Sequence, residues 1–297
     1  MKILLHPSQK NLGRAVVAKS RGRLEGLRTK WTQFEDGERF VRVLESVRGQ
    51  RVAFLSATHP PAENMIDTLI GLDALRRAGA RVTLVLPHLG YSRQDHLENP
   101  GEPLSTELFL QLLRQVGANK LLTFDVHAPA SLRIFGPRFK DLTALNLFAR
   151  DIVQRFGRAK KNLVIVGPDH GAIDRARRLA RLVGLSNDQA GWVAKSRPRP
   201  DVVARGKLHG DVRDKIVILI DDLIDTGRTL VSAAQVIRAG GAKKVAIYAT
   251  HGLLTGRAVA RLLAQRVSIT TTDSLPAKSK YIRRLSLAPT LAQAILA

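Results

Sequence analysis

Residues 216–229 read IVILIDDLIDTGRT, and the types and spacing there could do chemistry. The apolar run 216–220 has the composition of a strand buried on both faces, and it delivers a carboxylate pair, Asp221 and Asp222, at its carboxyl end. Open α/β sheets bind ligands at that end. After Leu223 and Ile224, the stretch Asp225, Thr226, Gly227, Arg228, Thr229 supplies an acid, a glycine-permitted turn and two hydroxyls ahead of a helical pattern over 230–237. Free backbone N–H groups at a helix start favour phosphate. Carboxylates accept from sugar hydroxyls, so acids and turn together suit a phosphorylated sugar, whereas a bare nucleotide phosphate would leave the acid pair without a task.

Four other segments carry candidate groups. Gly167, Pro168, Asp169, His170 and Gly171 lie between an apolar strand at 163–166 and a helix at 173–183, the order of a phosphate nest. A polar loop over 88–102 follows the strand 82–86 and contains Tyr91-Ser92-Arg93-Gln94-Asp95. The strand 120–124 runs into Asp125-Val126-His127-Ala128. Residues 192–201, WVAKSRPRPD, form a basic run interrupted by Pro198 and Pro200.

The elements that must position these groups follow a repeated strand, helix, strand order. Strand 52–56, helix 62–77 with Met65, Leu69, Leu72 and Leu75 on one face, and strand 82–86 make one unit, closed by a glycine stop at Gly79. Residues 216–249 repeat the order, which predicts an internal duplication with the acid pair in the second copy only; Ser56-Ala57-Thr58 stand at the first copy's strand end. A first strand is expected at 2–5, a helix at 11–19, and a two-stranded flap at 32–44 with its turn at Asp36-Gly37. Helices at 105–116, 145–156, 256–263 and the C-terminus, and strands at 245–249 and 267–271, complete the pattern. The Gly136-Pro137 break puts the domain boundary near 140–146.

Composition sets the outer bounds. A chain of 297 residues, 44% hydrophobic and 25% charged, is long enough for two domains with cores of their own. No apolar run approaches the roughly 20 residues a membrane span needs, and the start has too short an apolar stretch for a secretory signal, so a cytoplasmic protein without a membrane partner is expected. With no cysteine, disulfides, thiolate catalysis and zinc-thiolate sites are excluded. The net charge of +23 invites a nucleic-acid partner, but aromatics are only 5% and no helix-turn-helix or zinc-finger pattern appears. Nucleic acid is not expected as a substrate.

At residues 216–229 the chain resembles the phosphoribosyl pyrophosphate (PRPP) motif shared by phosphoribosyltransferases and by ribose-phosphate pyrophosphokinases, the PRPP synthetases. Further segments resemble the pyrophosphokinases in particular. Residues 91–95 are similar to YxRQD, in which the arginine and glutamine meet ATP, and phosphoribosyltransferases have no such segment. Residues 34–38, FEDGE, match the FxDGE by which these enzymes contact the adenine of ATP in a neighbouring subunit. Residues 125–128 match DxHA, whose histidine lies at the metal and the ATP phosphates. Residues 168–172 resemble the pyrophosphate loop PDxGG, with Ala172 for its second glycine, and 195–201 resemble the catalytic loop KxRPxPN, with Asp201 for the asparagine. Arg228 stands where the sugar-phosphate loop usually has a second glycine.

The resemblance spans nearly the full length. It implies an α/β chain of two tandem phosphoribosyltransferase-like domains, 1–143 and 144–297, each a mostly parallel sheet flanked by helices. The implied reaction makes PRPP and AMP from ribose 5-phosphate and ATP by Mg²⁺-dependent diphosphoryl transfer, feeding nucleotide biosynthesis. By position, Phe34, Asp36, Glu38, Arg93, Gln94 and His127 fall to ATP, His127 and Asp169 to the metal, and Lys195 and Arg197 to catalysis. Asp221, Asp222, Asp225, Thr226, Gly227, Arg228 and Thr229 fall to ribose 5-phosphate. An adenine contact from a neighbour implies a homo-oligomer, a dimer or a hexamer built from dimers. Two other readings stay open: a PRPP-consuming phosphoribosyltransferase, and a catalytically silent, synthetase-like regulatory subunit.

Overall fold

The computed structural model describes residues 1–126, 133–194, 206–276 and 279–297. Contacts divide them into two compact units, Met1–Leu142 with Ser286–Ala297, and Thr143–Leu285.

In the first unit, β1 (Lys2–Leu5), β2 (Glu25–Gly26), β5 (Arg51–Leu55), β6 (Arg81–Val85), β7 (Ala118–Phe124) and β8 (Phe139–Leu142) form one sheet in the order β2-β1-β5-β6-β7-β8. Every pairing in it is parallel. A separate antiparallel hairpin joins β3 (Thr29–Gln33) and β4 (Arg39–Val43), as the Asp36-Gly37 turn predicts. Helices α1 (Lys10–Lys19), α2 (Glu63–Arg77) and α3 (Ser105–Val116) accompany the strands. Phe54, Leu72, Leu75, Leu84 and Leu110 share one fully buried cluster. Burying side chains of this kind contributes about 1.5–3 kcal/mol each.

The second unit is a sheet of seven strands, in the order β11-β10-β9-β12-β13-β14-β15. These are β9 (Leu163–Gly167), β10 (Ala190–Ala194), β11 (Lys207–His209), β12 (Ile216–Ile224), β13 (Lys244–Gly252), β14 (Ser268–Thr272) and β15 (Arg283–Leu285). Among the described residues of this unit, only the β10–β11 pairing is antiparallel. Helices α4 (Leu145–Phe156), α5 (Ile173–Val183), α6 (Arg228–Ala239) and α7 (Ala258–Ala264) lie between the strands in sequence. On α5 the buried residues Ile173, Ala176, Leu179, Ala180 and Val183 recur at helical spacing, leaving Arg177, Arg178 and Arg181 exposed. Val217 to Ile220 are fully buried in β12, as a strand covered on both faces requires.

Two features differ from the sequence expectation. Strand β12 does not stop before the acids: Asp221, Leu223 and Ile224 still pair with β13. Its other ladder, with β9, ends at Leu219 and Val166. The acids therefore lie inside the strand on one side and beyond the last pairing on the other, beside the segment that follows β9. Second, the last helix, α8 (Ala288–Leu296), packs on α1 and belongs to the first unit, whereas the sequence-based cut put residues 286–297 in the second domain. Among the described residues, no helix is long and apolar enough to cross a membrane.

Candidate active site

Neighbouring residues on a strand normally point to opposite faces, yet both acids meet one cation. Arg175 Nη1 lies 3.7 Å from Asp221 Oδ1 and 3.6 Å from Asp222 Oδ1, and the Asp222 backbone N–H donates to Asp221 Oδ1 at 2.9 Å. Asp222 is buried and Asp221 half-buried. Burial first, and then the adjacent Asp222 carboxylate, push the Asp221 carboxyl well above the usual range; Arg175 pulls the other way without overcoming them. Two half-desolvated carboxylates side by side do not both ionise readily. A ligand that donates two hydroxyls to the pair makes full ionisation easier, which is what a ribose diol offers.

Sequence reasoning missed Arg175. It sits on α5, just past the 168–172 loop, among three other arginines of the same helix. Only its half-buried position sets it apart, and no spacing rule shows that in advance.

The segment after the acids is a turn leading into α6. Asp225 Oδ1 accepts from Thr255 Oγ1 at 2.6 Å, and the Thr226 carbonyl accepts from Arg261 Nη1 at 3.0 Å, so the turn is tied to the residues following β13. Gly227 has φ +75°, and a Cβ there would lie 3.2 Å from Leu262 Cγ, so glycine serves both the turn and the packing. Helix α6 begins at Arg228 with Gly227, which has no side chain to cap it, at the N-cap position. Arg228 and Thr229 are exposed at that first turn. An arginine at a helix start opposes the macrodipole by about 0.3–1 kcal/mol, a cost that an anion between them removes. The departure from glycine thus places an exposed cation at the start of α6.

After β9, Asp169 is half-buried in extended backbone, and a Cβ on Gly171 would be 3.4 Å from its Oδ1. Ala172, in place of the second glycine, is buried, and a Cβ on Gly167 would meet its methyl at 2.9 Å; the extra carbon faces the interior. His170 is exposed and meets the Trp192 ring edge-on at 5.5 Å, and Trp192 stacks on His209 at 3.9 Å across β10 and β11. Lys195 and Arg197, and likewise His127, lie outside the described residues. Asp169 offers one hard oxygen ligand. Magnesium keeps most of its waters and takes few carboxylates, so a sparse donor set fits it. Among the described residues no three His, Cys, Asp or Glu side chains gather as a metal cage.

The candidate ATP residues occupy two elements of the first unit. Gly90 pins the start of the Arg93 loop: its N–H donates to Thr58 Oγ1 at 2.8 Å, and a Cβ there would lie 2.0 Å from the Thr58 carbonyl oxygen. Tyr91 packs on Phe109 of α3 at 4.4 Å. Arg93 and Gln94 are exposed, and Gln94 Oε1 accepts from Ser105 Oγ at 2.6 Å, which orients the amide. Phe34, Asp36 and Glu38 sit in the exposed β3–β4 turn, where Asp36 Oδ1 accepts from the Glu38 N–H at 3.0 Å.

Comparison with known proteins identifies the family. Residues 1–117 match the model for the N-terminal domain of ribose phosphate pyrophosphokinase, and residues 141–275 match the phosphoribosyl transferase domain. The ribose-phosphate pyrophosphokinase of Granulibacter bethesdensis is 40% identical over 99% of this chain and 96% of its own length. That of Thermotoga maritima is 36% identical over 89% of this chain and 84% of its own. The crystal structure of phosphoribosylpyrophosphate synthetase from Mycobacterium smegmatis superposes with a TM-score of 0.89 at 31% identity, covering 100% of this chain and 97% of that one. Two family models in tandem, and relatives matched almost end to end, establish that this chain belongs to the ribose-phosphate pyrophosphokinase family.

Proposed function

We propose that the chain is a ribose-phosphate diphosphokinase, making PRPP and AMP from ribose 5-phosphate and ATP with Mg²⁺. The observation that carries the sugar-phosphate half is the Asp221–Asp222 pair, both within 3.7 Å of Arg175 Nη1 and followed by the turn with Gly227 at the N-cap of α6. The exposed Arg93 and Gln94, on a loop pinned at Gly90, favour a nucleotide donor over PRPP consumption, because a phosphoribosyltransferase has no task for them.

In this reading the anomeric hydroxyl attacks the β-phosphorus of ATP. A new bond from that oxygen to the β-phosphorus forms, the bond to the α,β-bridging oxygen breaks, AMP leaves with the bridging oxygen, and the hydroxyl proton is released. Asp221 and Asp222 accept from the ribose diol, while Asp225 and residues 226–229 seat the 5-phosphate. Arg93 pairs with phosphate oxygens through its planar fork, Gln94 orients the nucleotide, and Phe34, Asp36 and Glu38 meet the adenine. Magnesium, held by Asp169 and His127, would neutralise phosphate charge. Lys195 and Arg197 steady the charge that gathers on the transferring group, a contribution worth about 10²–10³ in rate per contact. No side chain is assigned as a general base. The enzyme works in the cytoplasm as a homo-oligomer, a dimer or hexamer, in which the adenine contact comes from a neighbouring copy.

The test is AMP formation by the purified full chain. The reading expects AMP only when ATP and ribose 5-phosphate are both present. AMP made without the sugar phosphate, or none under any condition, overturns it.

A further inference from the structure

The hairpin that carries Phe34, Asp36 and Glu38 is seated on α2 by contacts that belong to none of the motifs above. Trp31 and Val41 are paired across the hairpin, and Arg39 is two residues before Val41, so the three share its inner face. Val41 is buried in β4, and the Trp31 ring lies 3.5 Å from where a Cβ on Gly71 of α2 would stand. One helical turn earlier on the same face of α2 is Asp67, whose side chain is 3% exposed. Both its oxygens accept from one guanidinium: Arg39 Nε to Oδ1 at 2.9 Å and Nη2 to Oδ2 at 2.8 Å. His6 Nε2 lies 3.3 Å from the same carboxylate. Burial depresses the His6 imidazole to about 4 against the pull of Asp67, so at neutral pH Arg39 supplies the compensating charge.

A two-point bond to a buried acid fixes both the position and the rotation of a strand, which a single hydrogen bond does not. The outer face, alternating with the inner one, presents Phe40, 43% exposed, and beside it at the turn Phe34, 51% exposed, with ring centroids 6.1 Å apart. We propose that Arg39 is a positioning residue for the nucleotide: its bidentate bond to Asp67 holds the hairpin so that Phe34, backed by Phe40, stands as a fixed aromatic wall against the adenine. This rests on the reading of residues 34–38 as the adenine contact.

The test compares Arg39→Gln, Asp67→Asn, their double variant and Phe34→Ala in the full chain. The readouts are KM for ATP, KM for ribose 5-phosphate, kcat and the thermal midpoint. Arg39→Gln should raise KM for ATP by about tenfold while leaving KM for ribose 5-phosphate within about twofold. The double variant should be no worse for ATP than the worse single, because both changes break one contact. Should Arg39→Gln fail to fold with Asp67 left charged and buried, the double variant removes both charges and its KM for ATP decides. An unchanged KM for ATP in these variants, with Phe34→Ala raising it, overturns the positioning role and leaves the adenine contact standing. An unchanged KM in Phe34→Ala overturns the adenine reading itself. Equal rises for both substrates alongside a lowered midpoint make Arg39 a purely structural brace and also overturn the proposal.

Discussion

Acidification from about pH 7 to about pH 5 should weaken the first unit through one side chain, His6. Its ring is buried, its Nδ1 accepts from the Ser8 N–H at 3.1 Å, and its neutral form therefore carries the proton on Nε2. Burial, opposed by Asp67 and helped by His59 and Arg39, lowers its pKa from 6.5 to about 4. The unfolded chain thus binds a proton below pH 6.5 that the folded chain refuses until about pH 4, and stability is lost as pH falls through that window. With those two values the loss is about 2 kcal/mol at pH 5 and approaches about 3 kcal/mol below pH 4. His6→Asn keeps a side-chain acceptor for the Ser8 N–H and removes the titration. The assay is urea unfolding at both pH values, followed by Trp31 fluorescence in a Trp192→Phe background, since Trp31 meets the His6 ring at 5.8 Å. The wild-type chain should lose about 2 kcal/mol more than His6→Asn over that interval. Equal losses in the two proteins would refute the reasoning.

Three further outcomes follow from the site. Gly90→Ala puts a methyl 2.0 Å from the Thr58 carbonyl oxygen, so the Arg93 loop must shift; KM for ATP should rise about tenfold or more with KM for ribose 5-phosphate unchanged in steady-state assays. Arg175→Met removes the cation that restrains the raised Asp221 carboxyl, so the acid limb of kcat/KM for ribose 5-phosphate should move to higher pH in a pH-rate profile. Lys195→Ala should lower kcat by about 10²–10³ with little change in either KM, as initial-rate kinetics will show.

Much of the framework was legible from the sequence because buried parallel strands and amphipathic helices write themselves as apolar runs and helical periodicity. Helices α3, α4 and α5 begin and end where the pattern puts them. The ends of β12 were not, because Asp221 and Asp222 look like a strand's finish when only hydropathy is read, while the ladder to β13 continues through Ile224. Strands β10 and β11 are short and flank a basic, proline-bearing run, so hydropathy alone does not pick them out. Helix α8 is apolar enough to pack on either unit, and sequence does not say which. At the site, the acid pair and the Gly227 turn stand together in the chain and could be read directly. Arg175 could not, because it lies 46 residues before Asp221 and gains its role only when α5 folds back beside β12. Arg39 and Asp67, 28 residues apart, escape motif reading for the same reason.

In the proposed reaction a diphosphoryl group passes intact from ATP to the sugar phosphate. The measurement that meets it most directly uses ATP radiolabelled at the β-phosphate, with ribose 5-phosphate, Mg²⁺ and the full chain. The label should appear in the sugar product, in amounts equal to the AMP released and with none in AMP itself. Label retained in ADP, or set free as pyrophosphate while ribose 5-phosphate is unchanged, would contradict it.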